Sequence, residues 1–434
     1  MIPFVHLHVH SYYSILDGQA SISRLVDKAI ADGMRGMALT DHGSMMGVKD
    51  FYNYVQKKKS GASKDFKKAE TYLKELQSKI EDSNADPMTT ILEDGRVLSD
   101  AIAETKKAMD KAKRVMAFKP IIGCEMYCAR RTKFDKTLKE DRSGWHLVVL
   151  AKNEVGYHNL VKLVSRAWVD GFYMKPRTDK ADLEQFKEGL IISSACLGGE
   201  IPKKLLAGDE EGAEKAVMWF KERFGEDYYL ELQRHEVKDP AQRANRETYP
   251  LQQRANEGLI RLAKKCGVKY ICTNDAHFVD EDNSEAHDLL ICLSTNHYVR
   301  DENRMLYSKQ EWFKSQAEMN EIFKDLPEAL ATTQEIVDKV EEYSIDHGPI
   351  MPNFEIPEDF GTEESYRQKY TESDLYDEFT QDENGNVIVS REEGEAKIKK
   401  LGGYDKLYRI KLEADYLAKL AYEGAHWRYG NPLD

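Results

Sequence analysis

Nine side chains able to bind a metal ion recur along the first two-thirds of the chain, nearly all at the edges of short apolar runs: His8, His10, Asp17, His42, Glu125, His146, Cys196, Asp275 and His277. Imidazole and thiolate suit Zn²⁺, carboxylate oxygens also accept Mn²⁺ or Mg²⁺, and a mixed set tolerates zinc, manganese or iron, so the donors leave the metal open. Clustered dications activate water and neutralise phosphate charge during in-line displacement, which makes phosphoester hydrolysis the implied reaction. In that chemistry Asp17, Glu125 and Asp275 would hold ions together, and His146 or His277 would protonate a leaving oxygen. Asp17, His146, Asp275 and His277 are therefore the candidate catalytic residues.

Spacing supports each candidate differently. His8 and His10 lie two apart in Phe4–His10, a period-two stretch that reads as a strand, so both face one way. His6 shares their parity but lies deeper, where a packed or supporting role is the better reading. Asp17 sits in the turn Ser14–Gly18 and His42 directly follows an apolar run, the usual address of catalytic groups in α/β barrels. In Ile122–Cys128, strand parity sets Glu125 opposite Cys124 and Cys128, so these two thiols are expected in the core. His146 precedes its apolar run, which a strand-end argument does not explain. Cys196 enters a Gly-containing turn, where a lone thiol is more often just a small buried side chain. Asp275 and His277 form an Asp-x-His pair after a strand.

The elements that must position these groups alternate. Strands are expected at Phe4–His10, Gly36–Thr40, Pro120–Gly123, Leu147–Ala151, Gly189–Ser193, Tyr228–Leu232 and Val268–Cys272, with helical spacing between them, as in Ile22, Leu25, Val26, Ala29 and Ile30. Seven strands with intervening helices predict an α/β fold, a (β/α) barrel with its ligands at one mouth, rather than an open sheet. A Lys/Glu-rich segment from about Gln56 to Ala117, broken at Asn84–Pro87, reads as an inserted helical hairpin: a solvated appendage, or an arm for a partner or DNA. Beyond His277 the alternation stops and helices are expected at Asp282–Leu293, Gln316–Phe323 and Glu328–Tyr343. An extended link at Pro352–Pro357, an acidic stretch with a turn at Asp382–Asn386, and a helix Tyr404–Tyr429 without a core of its own complete the chain. The expected division is a metal-binding barrel over 1–285 and a mainly helical segment over 286–434.

Composition sets outer bounds. The 434 residues carry a formal net charge of −13, which excludes a broad basic face and makes any nucleic-acid contact local. No run approaches a membrane span and Met1–Phe4 lacks signal-peptide character, so a cytoplasmic protein is expected. Six scattered cysteines do not make a disulfide framework.

The ordered set His-x-His, Asp, His, Glu, His, Cys, Asp-x-His resembles the polymerase and histidinol phosphatase (PHP) superfamily. That resemblance implies a distorted seven-stranded barrel holding up to three divalent ions, with Cys196 standing where many members have His. Further stretches, Phe4–Gly18, Ala38–Gly43, Lys119–Gly123, Gly156–Leu160 and Gly171–Arg177, are similar to the α subunits of bacterial DNA polymerase III over roughly residues 3 to 350. In that family the PHP module comes first and a palm with Mg²⁺-binding aspartates follows. The chain thus looks like an N-terminal piece whose 286–434 segment begins the palm, and nucleotidyl transfer by the piece itself is not expected. The resemblance implies DNA as a partner, with Lys175 and Arg177 as phosphate contacts. Through the full-length protein it also implies a sliding clamp, a clamp loader and a proofreading exonuclease subunit. The leading expectation is a metal-dependent phosphoesterase of the replicative polymerase, acting as a 3′–5′ exonuclease. The alternatives are a docking platform for a separate proofreading subunit, or a free-standing phosphatase similar to histidinol phosphatase.

Overall fold

The computed structural model describes residues 1–83, 86–237, 242–243, 247–350, 354–382 and 384–430. Parts of the expected breaks and link, Asn84, Ala85, Pro352, Asn353 and Glu383, and the last four residues lie outside the described residues. Two compact units are formed, Met1–Asp346 and His347–Asp434.

The first unit is built on a curled seven-stranded sheet: β1 Gly36–Leu39, β2 Lys119–Cys128, β3 Trp145–Ala151, β4 Arg177–Thr178, β5 Leu190–Ser193, β6 Tyr228–Gln233 and β7 Lys269–Thr273. Their order is β1-β2-β3-β5-β6-β7, with β4 paired to the end of β2. Neighbours run parallel except β3, which is antiparallel to both β2 and β5. β1, β5 and β6 are buried throughout, as strands covered on both faces must be.

The expected first strand, Phe4–His10, is not a regular one. It runs extended between β1 and the segment after β7: Ala38 N donates to His6 O at 2.8 Å, Thr40 N to Val9 O at 2.8 Å, and His10 N to Ala276 O at 2.7 Å. It thereby bridges the two sheet edges, and the short β4 makes up the count of seven. Its backbone donors Phe4 N and Val5 N instead reach the side chains of Gln316 and Thr333.

Helix Val48–Ser83 starts under the barrel, where Phe51 and Val55 are fully buried, and extends beyond it to pack on Leu98–Met116 through Leu76, Leu98 and Ala101. The expected helical hairpin is thus present, and its first arm continues a helix that begins in the barrel. Helices Ser284–Thr295, Gln316–Ile322 and Pro327–Lys339 follow β7, and Phe313, Met319, Phe323, Leu330 and Val337 join the barrel core. Each such burial contributes about 1.5–3 kcal/mol, so the compact unit closes after Asp346 rather than at 285.

The second unit contains three helices that its acidic composition concealed, Glu363–Lys369, Glu372–Thr380 and Arg391–Leu401, before the long helix Tyr404–Tyr429. Thr362, Thr371 and Ser390 cap them by accepting from backbone N–H groups of the first turn. The unit has a core, contrary to expectation: Tyr366, Leu375, Ile398, Leu407, Tyr408 and Leu412 are buried together. The chain reversal expected near Asp382–Asn386 is marked by the antiparallel bridge Gln381 to Val387.

Candidate metal centre

All nine predicted side chains meet at one end of the sheet, joined through Glu125 and Asp275. Glu125, buried in β2, is 3.3 Å from His8 Nε2, 3.5 Å from His10 Nε2, 2.5 Å from His42 Nδ1 and 2.8 Å from His146 Nδ1. Asp275 Oδ1 lies 3.1 Å from both His8 Nε2 and His10 Nε2, as their shared parity requires. Asp17 Oδ2 is 2.9 Å from His42 Nε2 and its Oδ1 3.9 Å from His277 Nε2. Cys196 Sγ is 3.5 Å from His146 Nδ1 and 3.7 Å from Glu125 Oε1. Among the described residues, three triads have donor atoms close enough to share one ion: His8–His10–Asp275, His10–His42–His277 and His42–Glu125–His146.

The antiparallel direction of β3 explains His146. A parallel strand brings its C-terminal end to the mouth, whereas an antiparallel one brings its start, and His146 is the second residue of β3, opposite Tyr127 of β2.

Neighbouring groups fix the tautomers so that ring nitrogens face the centre. His8 Nδ1 donates to Glu231 Oε1 at 2.7 Å, leaving Nε2 as an acceptor. Ser14 Oγ donates to Asp41 at 2.8 Å and so accepts from His10 Nδ1 at 2.9 Å, again freeing Nε2. His277 Nδ1 donates to the Asp275 carbonyl at 2.7 Å. The outcome is a set of buried atoms without hydrogen-bond partners that all point inward: His8 Nε2, His10 Nε2, both nitrogens of His42, Glu125 Oε2 and Asp275 Oδ1. Orphaned buried polar atoms are costly, and six of them converging from five side chains fit a cation-binding role.

Electrostatics point the same way. Burial pulls the His42 imidazole down, but Glu125 and Asp17 more than reverse this and push it up to about 10. His8 is likewise driven above its ordinary value, as Asp275, Glu231 and Glu125 outweigh burial. Burial would raise the Glu125 carboxyl, yet His146, His42 and His8 hold it well below the usual carboxylate range. Carboxylates this crowded demand positive charge, which dications supply.

Four residues were not singled out from sequence. Glu231, buried in β6, accepts from His8, Ser193 Oγ (2.6 Å), Thr273 Oγ1 (2.6 Å) and Gln233 Nε2 (3.0 Å). Its signal was a lone carboxylate within an apolar strand. Asp41, beside His42, accepts from Ser11 N at 2.7 Å and from Ser14 Oγ, and so holds the Ser11–Gly18 turn, with Ser14 as the link to His10. Tyr307 donates to Asp17 Oδ1 at 2.9 Å from a segment without any local signal.

His6 donates to the Lys314 carbonyl at 2.8 Å, and burial pulls it down to about 3: it is packed, not part of the cluster. Cys124 and Cys128 are buried in the core as free thiols. Arg177, expected to contact a phosphate, is instead fully buried, and its guanidinium donates to the carbonyls of Gly171 (3.0 Å), Asp135 (2.9 Å) and Lys133 (2.6 Å), so it presents no surface to a phosphate. Lys175 stays exposed, its Nζ 5.3 Å from the Tyr127 ring, which in turn lies 5.2 Å from His146.

A family model described as the PHP domain matches residues 6–235. The chain is 39% identical over 373 residues to DNA polymerase III subunit alpha of Borreliella burgdorferi, covering 85% of this chain and 26% of that one. It is 33% identical over 379 residues to the protein of the same name from Treponema pallidum, covering 87% and 26%. The chain spans about a quarter of the length of these curated relatives. A solved chain from Bifidobacterium adolescentis overlaps at a TM-score of 0.30 with 12% identity, covering 74% of this chain and 96% of that one, too loosely to carry an argument.

Proposed function

Because the chain belongs to the PHP domain family, we propose that its buried cluster is a polynuclear divalent-metal site that hydrolyses phosphodiesters, as the N-terminal part of a bacterial replicative polymerase α subunit. The observation that carries this reading is the convergence of six unpartnered buried atoms from His8, His10, His42, Glu125 and Asp275. The ligands proposed are these five with Asp17, His146, Cys196 and His277, for up to three ions of zinc, manganese or iron. Bound dications would neutralise phosphate charge and make water a competent nucleophile at neutral pH.

The side chains supply the rest of the chemistry. Asp275 Oδ1 lies 3.1 Å from His10 Nε2 and Asp17 Oδ1 3.9 Å from His277 Nε2, so these carboxylates would hold ions together with those imidazoles. His146, partly exposed with Nδ1 turned to Glu125, would hand a proton to the departing oxygen from Nε2; His277, whose Nδ1 is bound to the Asp275 carbonyl, would do so only where no ion holds its Nε2. Lys175 would steady a neighbouring phosphate. Substrate in this reading is the 3′ end of a DNA strand, which makes the activity a 3′–5′ exonuclease. The polymerase aspartates, and contacts with a sliding clamp, a clamp loader and a proofreading subunit, belong to the longer protein in this proposal. Residues 286–434 would begin its palm region.

The test is metal analysis beside a nuclease assay. Metal-loaded protein should release nucleotides from single-stranded DNA, and Asp275→Ala should lower the rate at least 100-fold with the fold retained by circular dichroism. Equal rates for the two proteins, or no transition metal bound by the wild type, would refute the proposal.

A further inference from the structure

Exposed aromatic surface stands at the rim of the cluster, and nothing in the metal chemistry uses it. Trp168 and Phe172, 44% and 45% exposed, stack with ring centroids 5.5 Å apart and planes 22° apart. Two contacts fix the pair beside the site. Trp168 Nε1 donates at 2.7 Å to the carbonyl of Gly43, the residue after His42. Pro176, from the same loop as Phe172, packs so closely that a Cβ on Gly43 would fall 2.7 Å from it. Lys175 places its ammonium over Tyr127, whose ring lies 5.2 Å from His146 and 6.2 Å from His42.

The loop is also preorganised. Buried Arg177 ties Gly171, Lys133 and Asp135 together through their carbonyls, and Met174 is held at φ +64°, a left-handed conformation unusual for a side chain of its kind. A helix end and a rigid loop that together turn two rings and an ammonium outward gain little stability from them, because nearly half of each ring stays in water. It does offer a π-face and a cation next to a phosphoester site, the combination that recognises single-stranded nucleic acid.

We infer that Trp168 and Phe172 form a stacking platform for the unpaired terminal nucleobase of a strand whose phosphodiester lies at the metal cluster, with Lys175 on the adjoining phosphate. This rests on the phosphoesterase reading and specifies it: the substrate is a polynucleotide end, not a small phosphate ester.

Affinities of the chelator-treated full chain for a short single-stranded oligodeoxythymidylate and for its 3′-abasic counterpart test the platform without turnover. The wild type should bind the intact strand about tenfold more tightly, from the usual worth of one base–aromatic stack. Phe172→Ala should erase that ratio and Phe172→Tyr should keep it. Lys175→Gln should weaken both ligands equally and flatten their salt dependence. Equal affinity of the wild type for both strands, no binding of either, or an unchanged ratio in Phe172→Ala overturns the inference. Hydrolysis of bis(p-nitrophenyl) phosphate by the Mn²⁺-loaded wild type reports separately on the chemistry. Its absence would count against the phosphoesterase reading while the binding ratio still decides the platform.

Discussion

Glu231 touches no other carboxylate of the cluster, yet it should control metal affinity. Its Oε1 accepts from His8 Nδ1 at 2.7 Å, from Thr273 Oγ1 at 2.6 Å and from Gln233 Nε2 at 3.0 Å, while Oε2 accepts from Ser193 Oγ at 2.6 Å. Replacing it by Gln can keep the oxygen that faces His8 and turn the amide toward Ser193, whose hydroxyl can rotate to accept. The packing survives, but the negative charge that makes His8 a stronger donor through Nε2 is lost. Changes of this kind beneath a ligating imidazole lower metal affinity by roughly 10–100-fold. Glu231→Ala is different in kind, because it strands the hydrogen-bond donors of four buried neighbours and should cost roughly 3–5 kcal/mol of stability. Competition titration with a chelating indicator reads the first effect, and thermal melting of the metal-free proteins reads the second. Wild-type metal affinity in Glu231→Gln would refute the argument that His8 is a ligand set by its partner. Equal melting temperatures for the Ala variant and the wild type would refute the hydrogen-bond assignment.

Two further outcomes are expected. Tyr307→Phe removes the hydroxyl that donates to Asp17 at 2.9 Å, a charge-assisted bond worth about 1.5–3 kcal/mol; metal-dependent turnover should fall about tenfold or more and the melting temperature by a few degrees, and full activity would show that Asp17 needs no such positioning. Burial pulls the Lys314 ammonium from 10.5 down to about 7 despite Glu311 and Glu318 nearby. The unfolded chain therefore holds this proton more tightly, and the penalty is complete below pH 7 and is relieved as pH rises from about 7 to 10.5, on the order of a few kcal/mol. The melting temperature of the wild type should rise over that range relative to Lys314→Met, whereas parallel curves would sink the assignment.

The sequence determined which residues could hold metal and roughly where along the strands they stand, because donor chemistry and period-two parity are local properties. His8 with His10, and Cys124 and Cys128 against Glu125, follow from parity alone, and the structure keeps those relations. Strand direction is not local. His146 appeared misplaced until β3 proved antiparallel to β2, because a periodic pattern is the same read either way. Phe4–His10 has the pattern of a strand but bridges two sheet edges, a role set by Ala38 and Thr40 on one side and the distant Ala276 on the other. Arg177 reads as a surface cation until the chain folds three carbonyls around it, and Tyr307 reaches Asp17 across most of the unit. Only the tertiary structure decided these, because hydrogen bonding and burial belong to surroundings drawn from distant segments. The chain supplies the donors; the fold decides which of them are left without partners and therefore ready for a cation.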